Sequence, residues 1–520
     1  SISSQPDLDF AYFDYLQFRM KLPVDFDDDV ILFYGTTETP GISAGSDLNL
    51  VIPAADVPKD GNWHTYRLDL GLVVWWRDFL TDIRIYPLGN SGNGQTFEID
   101  YLEVGDLPGD VLLVNTDVNV FAGGGETLAD CSKIESKHAV FWYSPESYVK
   151  YPALDPQVHG RRALRMMEES FQVFCKKIGH DEPFESTNVA ARDGNRYKVN
   201  HVTWYNGFWA GGWGGFQHIG INGGGLQDEG WGNPMPHEFG HVVQGHQPGY
   251  LIGGHWESHA NFLRNARNLH YKDVHESLSG MMMDKILTYS NFRQDHGLLI
   301  YSDYRIHHAL ADFGHELGLP DIVSDLWKVE PKGETVYEKL EEALSPADDI
   351  GDVAANGLRH WPFLDFNDGE EFRGIFWPND TAKAMFQYKM GSHLIPCHDK
   401  PGWYRSPFDR SPEKYAYMSH ELTPTAASVT VEFNGFDLLG TDEDWRWSFV
   451  ATDDGWENPR YSGIYSPSEG PQTFTMLAGE TKLFLVVVAT PTDSSLNLEW
   501  TDNMNPIDKH ADRLHYAYEV

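Results

Sequence analysis

Basic residues are scarce in this chain: 39 Lys and Arg stand against 77 Asp and Glu, for a net charge of −38. A field of that sign repels phosphate backbones and anionic lipid surfaces, so nucleic acid is excluded as a partner. It suits a salty medium, as in a marine or halotolerant source, and equally an acidic secreted protein. Cysteine is rarer still. Cys131, Cys175 and Cys397 show no CxxC spacing, which excludes a disulfide framework and allows one bridge at most. No apolar run reaches the length of about 18 residues that a membrane-spanning helix needs, and membrane insertion is not expected. The chain opens Ser1-Ile2-Ser3 with neither a basic nor an apolar leader region, so secretion is an expectation from architecture alone. A P-loop, an internal repeat and a low-complexity linker are also missing.

What is present is aromatic and patterned. A chain of 520 residues exceeds one core, and 17 Trp with 25 Tyr supply several cores and leave flat surfaces over. Residues 1–108 alternate apolar and polar at 66–70, 83–86 and 97–104 between turn residues, which reads as a β-sandwich. There Trp63, Trp75 and Trp76 form either a sugar-stacking platform or part of the core, and Asp25 with Asp27, Asp28 and Asp29 reads as a solvated turn rather than a calcium site. Residues 109–420 form the second unit: a buried strand at 140–143, a helix over 158–178 with Leu164, Met167, Phe171 and Phe174 on one side, a strand at 216–222, helices over 259–345, and a loop-heavy stretch at 346–418. Alternation returns over 428–500, giving a second β-sandwich over 421–520. The expected fold is α+β and multidomain, a helical core flanked by N- and C-terminal jelly-roll-like sandwiches.

His237-Glu238-Phe239-Gly240-His241 is the segment that most constrains the chemistry. Residues four apart lie one above the other on a helix, so His237 and His241 offer two imidazole nitrogens to one metal while Glu238 points into the same cleft. Pro234 and Pro236 stand where a first turn tolerates proline and Gly245 where a helix ends, so the spacing predicts a helix over 236–244. A catalytic zinc takes a third protein ligand and keeps one position open. Glu257 is the choice: it follows the turn at Gly249, Gly253 and Gly254, far enough on for the chain to reverse and lay a second helix against the first. His255 or His259 would be the substitute third ligand; His259 would face about 200° away from Glu257 on a helix, so those two cannot both bind one metal. His246, beyond Gly245, caps the helix or lines the cleft. An oxyanion stabiliser is sought among Tyr301, Tyr304, His307 and His308, and no motif selects one.

With Glu257 and Asn261 downstream, residues 233–262 resemble the gluzincin zinc metallopeptidases, within the looser spacing of the enhancin-like, mucin-degrading branch. The resemblance implies zinc as cofactor. It also implies an edge strand just before the motif helix, here 216–222, whose free backbone pairs with extended substrate. Asn261 stands where many gluzincins carry an Asp that hydrogen-bonds a ligand His, and an Asn accepts that bond without adding charge. More loosely, 136–143, the motif helices and the C-terminal sheet-like segment resemble an uncharacterised family of secreted bacterial proteins with the same HEFGH core. Residues 1–108 resemble jelly-roll accessory modules of secreted polysaccharide-degrading enzymes.

The leading expectation is a monomeric, secreted or cell-surface bacterial hydrolase. It cleaves peptide bonds in glycosylated or matrix-associated proteins, with Glu238 as general base beside a metal that polarises the carbonyl. The alternative is a polysaccharide lyase in which the metal neutralises a uronate and a Tyr or His removes the C5 proton. A third reading is a glycan-binding protein with structural zinc, which needs a fourth protein ligand and no Glu238.

Overall fold

The computed structural model describes residues 13–116, 128–271, 305–328, 342–490 and 515–519, apart from 25, 37–40, 42–48, 72, 74–79, 87–95, 107–110, 186–193, 205–210, 214–216, 224–225, 227–233, 249–253, 315–318, 345–348, 368, 391–394, 399, 407–411, 413–415 and 437–444. The architecture is mixed α/β with several sheets.

The first strands are β1 (Tyr15–Lys21), β2 (Val30–Thr36), β3 (Asn49–Ile52), β4 (Trp63–Asp69), β5 (Leu80–Tyr86) and β6 (Glu98–Gly105). They form two antiparallel sheets, β4-β1-β6 and β3-β2-β5. Alternation along β1 sends Leu16, Phe18 and Met20 inward, where they meet Val30, Leu32 and Tyr34 of β2 in one buried core. The outward residues of β1 pair across the sheet instead: Arg19 with Asp100 at 3.0 Å and Lys21 with Glu98 at 2.8 Å. Trp63 lies at the end of β4, 36% exposed, with the Arg19 guanidinium 5.5 Å from its ring centre. Trp75 and Trp76 lie outside the described residues. The acidic turn is locally satisfied, with Asp29 accepting from the Ala54 backbone at 2.8 Å and Asp27 paired to Lys59.

The central sheet contains β7 (Ser132–Glu135), β8 (Ala139–Tyr143), β9 (Val199–Trp204), β10 (Gly211–Trp213) and β11 (His218–Asn222), in the order β10-β11-β9-β8-β7. Strands β8, β9 and β11 are parallel, and β7 and β10 flank them antiparallel. The strand expected at 216–222 is therefore present as β11, but it is not the edge. β10 pairs with its outer side and takes the edge position.

Helices α1 (Pro145–Lys150) and α2 (Arg161–Phe171) follow β8, and π-helical turns at 156–160 and 172–177 extend α2 at both ends. Leu164, Met167, Phe171 and Phe174 are all buried, as their spacing requires. Next come α3 (Pro234–Gln244), α4 (Gly254–His270), α5 (Arg305–Phe313), α6 (Ile322–Lys328), α7 (Ile350–Leu358), α8 (Gly369–Phe376) and α9 (Asp380–Met390). The last three correct the loop-heavy reading of 346–418. Each is short and lies close to Pro or Gly punctuation, so no helical period runs long enough to stand out, yet Val353, Phe372, Phe376 and Phe386 are buried in the main core.

The C-terminal strands are β12 (Ile395–Pro396), β13 (Trp403–Arg405), β14 (Tyr417–Leu422), β15 (Ser428–Phe436), β16 (Trp445–Thr452), β17 (Arg460–Tyr461), β18 (Gln472–Thr475), β19 (Lys482–Ala489) and β20 (His515–Glu519). They build the sheets β14-β19-β16-β17 and β12-β13-β20-β15-β18. In β19, Phe484, Val486 and Val488 face the helical core while Leu483, Leu485 and Val487 face the second sheet. Both faces of β19 are covered, which is why its sequence runs apolar without alternation. The sheet is thus a wall shared by the helices and the C-terminal strands. No helix among the described residues is long and apolar enough to cross a membrane.

Candidate metal centre

Helix α3 begins with the prolines its first turn tolerates and carries Phe239, Val242 and Val243 into the core. Gly240, inside the motif, lies against α4: a Cβ there would sit 3.3 Å from Leu263 Cδ1 and 3.4 Å from Ala260 Cα. The missing side chain lets the two helices approach closely. That approach brings Glu257, in the first turn of α4, to the two histidines of α3.

The three donors converge. His237 Nε2 is 3.1 Å from Glu257 Oε2 and 3.2 Å from His241 Nε2, and His241 Nε2 is 3.6 Å from Glu257 Oε1. A tetrahedral zinc with bonds of about 2.0–2.1 Å separates its ligand atoms by roughly 3.3 Å, so these residues fit that ion. The outer ring nitrogens are held by neutral amides: His237 Nδ1 donates to Asn261 Oδ1 at 3.1 Å and His241 Nδ1 to Gln244 Oε1 at 2.8 Å. Protonation at Nδ1 leaves each Nε2 lone pair for a metal.

Burial pushes the His237 ring down to about 4, with the Glu257 hydrogen bond offsetting part of the effect. Burial acts the same way on His241, but its hydrogen bond to the Glu257 carboxylate and the charge of Glu238 outweigh it and leave His241 above its ordinary value. Burial raises the Glu257 carboxyl, yet its hydrogen bonds with His237 and His241 prevail and hold it well below the usual carboxylate range. Glu238 is buried and close enough for its charge to act on His241.

The competing histidines go elsewhere. His259 turns away from the three donors, with Nδ1 2.9 Å from Gln244 Nε2 and Nε2 3.2 Å from His180 Nε2. His246 caps α3 by donating from Nδ1 to the Val242 carbonyl at 2.8 Å. His255 lies in the first turn of α4. His307 corrects the expectation of an oxyanion stabiliser: it is fully buried behind α4, its ring 5.0 Å from that of His259 and 5.6 Å from Phe262. Tyr301 and Tyr304 lie outside the described residues, and the side chain of His308 does too. Two neighbours of the site escaped the sequence reading. Gln244 is three residues past His241, a spacing that places it on the same helix face, and the Trp256 ring packs 5.8 Å from that of His241.

Residues 118–520 match a family of unknown function, DUF6055. The chain belongs to that family. No curated protein matches this DUF6055 chain. Among solved structures it is similar to the M60 catalytic domain of Clostridium perfringens ZmpC in complex with the sialyl T antigen, at 11% identity and a TM-score of 0.29 over 94% of this chain and 92% of the other. It is also similar to the ZmpB metallopeptidase of the same organism, at 12% identity and a TM-score of 0.29 over 92% and 95% of the two chains. A metallopeptidase from Bacteroides thetaiotaomicron gives 11% identity and a TM-score of 0.27 over 92% and 84%. The chemistry of this DUF6055 site is read from its own geometry.

Proposed function

We propose that this DUF6055 protein is a zinc-dependent peptidase that acts outside the cell on glycosylated or matrix-associated proteins. The observation that carries the reading is the convergence of His237, His241 and Glu257, two imidazoles and a carboxylate at tetrahedral spacing, on helices that approach closely at Gly240. Among the described residues no fourth His, Cys, Asp or Glu joins them, and the three side chains keep 10–17% exposure. A closed structural zinc has four protein ligands, so this donor set favours catalysis over a purely structural role.

When bound, zinc supplies a Lewis acid that polarises the scissile carbonyl and acidifies water. Glu238 takes a proton from the attacking water and returns it to the leaving amine, a role that its placement next to His237 and within electrostatic reach of His241 supports. β10, the edge strand of its sheet among the described residues and packed beside α3, offers backbone groups to an extended peptide. Trp63 and its neighbours on the outer face of β4-β1-β6 suit contact with the sugar part of the substrate.

Incubation of the full chain with casein and mucin, beside a uronate-polysaccharide panel, tests this. New amines released from the proteins are expected, abolished by chelation and restored by zinc. Absorbance of unsaturated sugars without amine release would replace the peptidase with a lyase.

A further inference from the structure

Behind the three donors lies a buried polar chain that the peptidase reading does not use. Gln244, in the last turn of α3, has no exposed surface. Its Nε2 is 2.8 Å from the Trp256 carbonyl oxygen and 2.9 Å from His259 Nδ1, and its Oε1 is 2.8 Å from His241 Nδ1. A backbone carbonyl can only accept, so the Trp256 contact decides which end of the amide is nitrogen. The amide oxygen then faces His241, which must carry its proton on Nδ1.

The same logic runs in the other direction. The second Nε2 hydrogen of Gln244 points at His259 Nδ1, so neutral His259 holds its own proton on Nε2 and donates it to His180 Nε2 at 3.2 Å. His180 is fixed in turn. The chain leaves α2 through Gly179, whose φ of 91° suits glycine, and Gln247 at the end of α3 clamps the next residue, accepting from Asp181 N at 3.1 Å and donating to Asp181 O at 3.2 Å. Trp327 covers His259 with ring centres 4.6 Å apart, and His307 covers it at 5.0 Å. The whole chain is buried.

We propose that Gln244 and His259 are positioning residues that set the neutral tautomer of His241, forming a one-way hydrogen-bond relay that starts at the Trp256 carbonyl, places the proton of neutral His241 on Nδ1 and leaves Nε2 as the nitrogen that takes a metal. The inference rests on His241 being a metal ligand. The other neutral tautomer carries its proton on Nε2, the atom a metal needs, so of the two neutral forms the relay selects the one that binds. His307 then has a structural reason for its place, as packing that holds His259 against Gln244.

Zinc affinity by chelator competition on the full chain, with cobalt absorption spectra as a second readout, tests the relay. Gln244→Met keeps the volume and removes the amide, and it is expected to weaken zinc binding roughly 10–100-fold, the usual scale for a partner of a ligand histidine, and to shift the cobalt bands. Gln244→Glu restores an acceptor for His241 without the two donors and is expected to recover part of that loss. His259→Phe is expected to cost less than Gln244→Met. Added to Gln244→Met it should change affinity by no more than about twofold, because it acts only through the amide. Wild-type zinc affinity in Gln244→Met, no recovery in Gln244→Glu, or losses that multiply in the double variant would each overturn the relay. No zinc binding by the wild-type chain would overturn the metal reading and the relay together.

Discussion

At the scale of single residues, the chemistry depends on which side chains reach the metal position and which only hold those side chains in place. Glu257→Ala removes a donor 3.1 Å from His237 Nε2 and is expected to lower zinc affinity far more than His255→Ala or His259→Ala, as measured by chelator competition. A larger loss in His255→Ala would move the third ligand to that residue. His237, His241, Glu257 and Asn261 were legible because a helix turns spacing directly into facing: four residues align two imidazoles, and four more past Glu257 bring an amide to His237. Gln244 was as legible by spacing but drew no attention, since an amide holds no zinc. The burial of His307 was not legible. It depends on how α5 docks behind α4, which no local period encodes.

At the scale of elements, sequence pattern works where one face is buried over several turns or strand pairs. The helix around 158–178, the strand at 140–143 and the strands at 66–70, 83–86 and 97–104 follow that rule. It fails for α7, α8 and α9, which lie among Pro and Gly punctuation, and for the edge order of the central sheet, because alternation places a strand's faces but not its neighbours. One tie between elements is testable by pH. Glu168 of α2 accepts from the His138 backbone at 2.8 Å and lies 2.6 Å from His138 Nδ1, joining α2 to the start of β8. Burial raises the Glu168 carboxyl, but the charge and hydrogen bonds of His138 outweigh burial and leave it below its ordinary value. A depressed carboxylate contributes stability that is present above the unfolded value of about 4.3 and is lost as pH falls through the folded one. The stability gap between wild type and Glu168→Gln in urea melts is therefore expected to be full near neutral pH and to close in acid. A gap independent of pH would mean that Glu168 acts through packing alone.

At the scale of the whole molecule, we propose a division into 1–108, 109–420 and 421–520, and it makes two unequal predictions. The first two sheets close their own core, Leu16, Phe18 and Met20 against Val30, Leu32 and Tyr34. Deleting 1–108 is expected to leave the remainder folded, with activity on small peptides retained and activity on large glycosylated substrates reduced. Deleting 421–520 removes β16 and β19, and with them Val450, Phe484, Val486 and Val488 from the wall of the helical core. That truncation is expected to lose cooperative unfolding by circular dichroism, and a stably folded 1–420 chain would show that the wall is not shared in the energetic sense. Alternation along the chain pointed to strands at both ends of it. The shared wall was written in the unbroken apolar run of β19, which a strand covered on only one face does not need.

The central claim is peptide hydrolysis with Glu238 moving the proton, and its most direct measurement compares Glu238→Gln with His237→Ala on whichever protein substrate releases amines. Glu238→Gln is expected to keep its zinc and lose roughly two to four orders of magnitude in turnover, the scale of general acid–base catalysis, while His237→Ala loses the metal. Zinc-loaded Glu238→Gln with near-normal turnover would contradict the account.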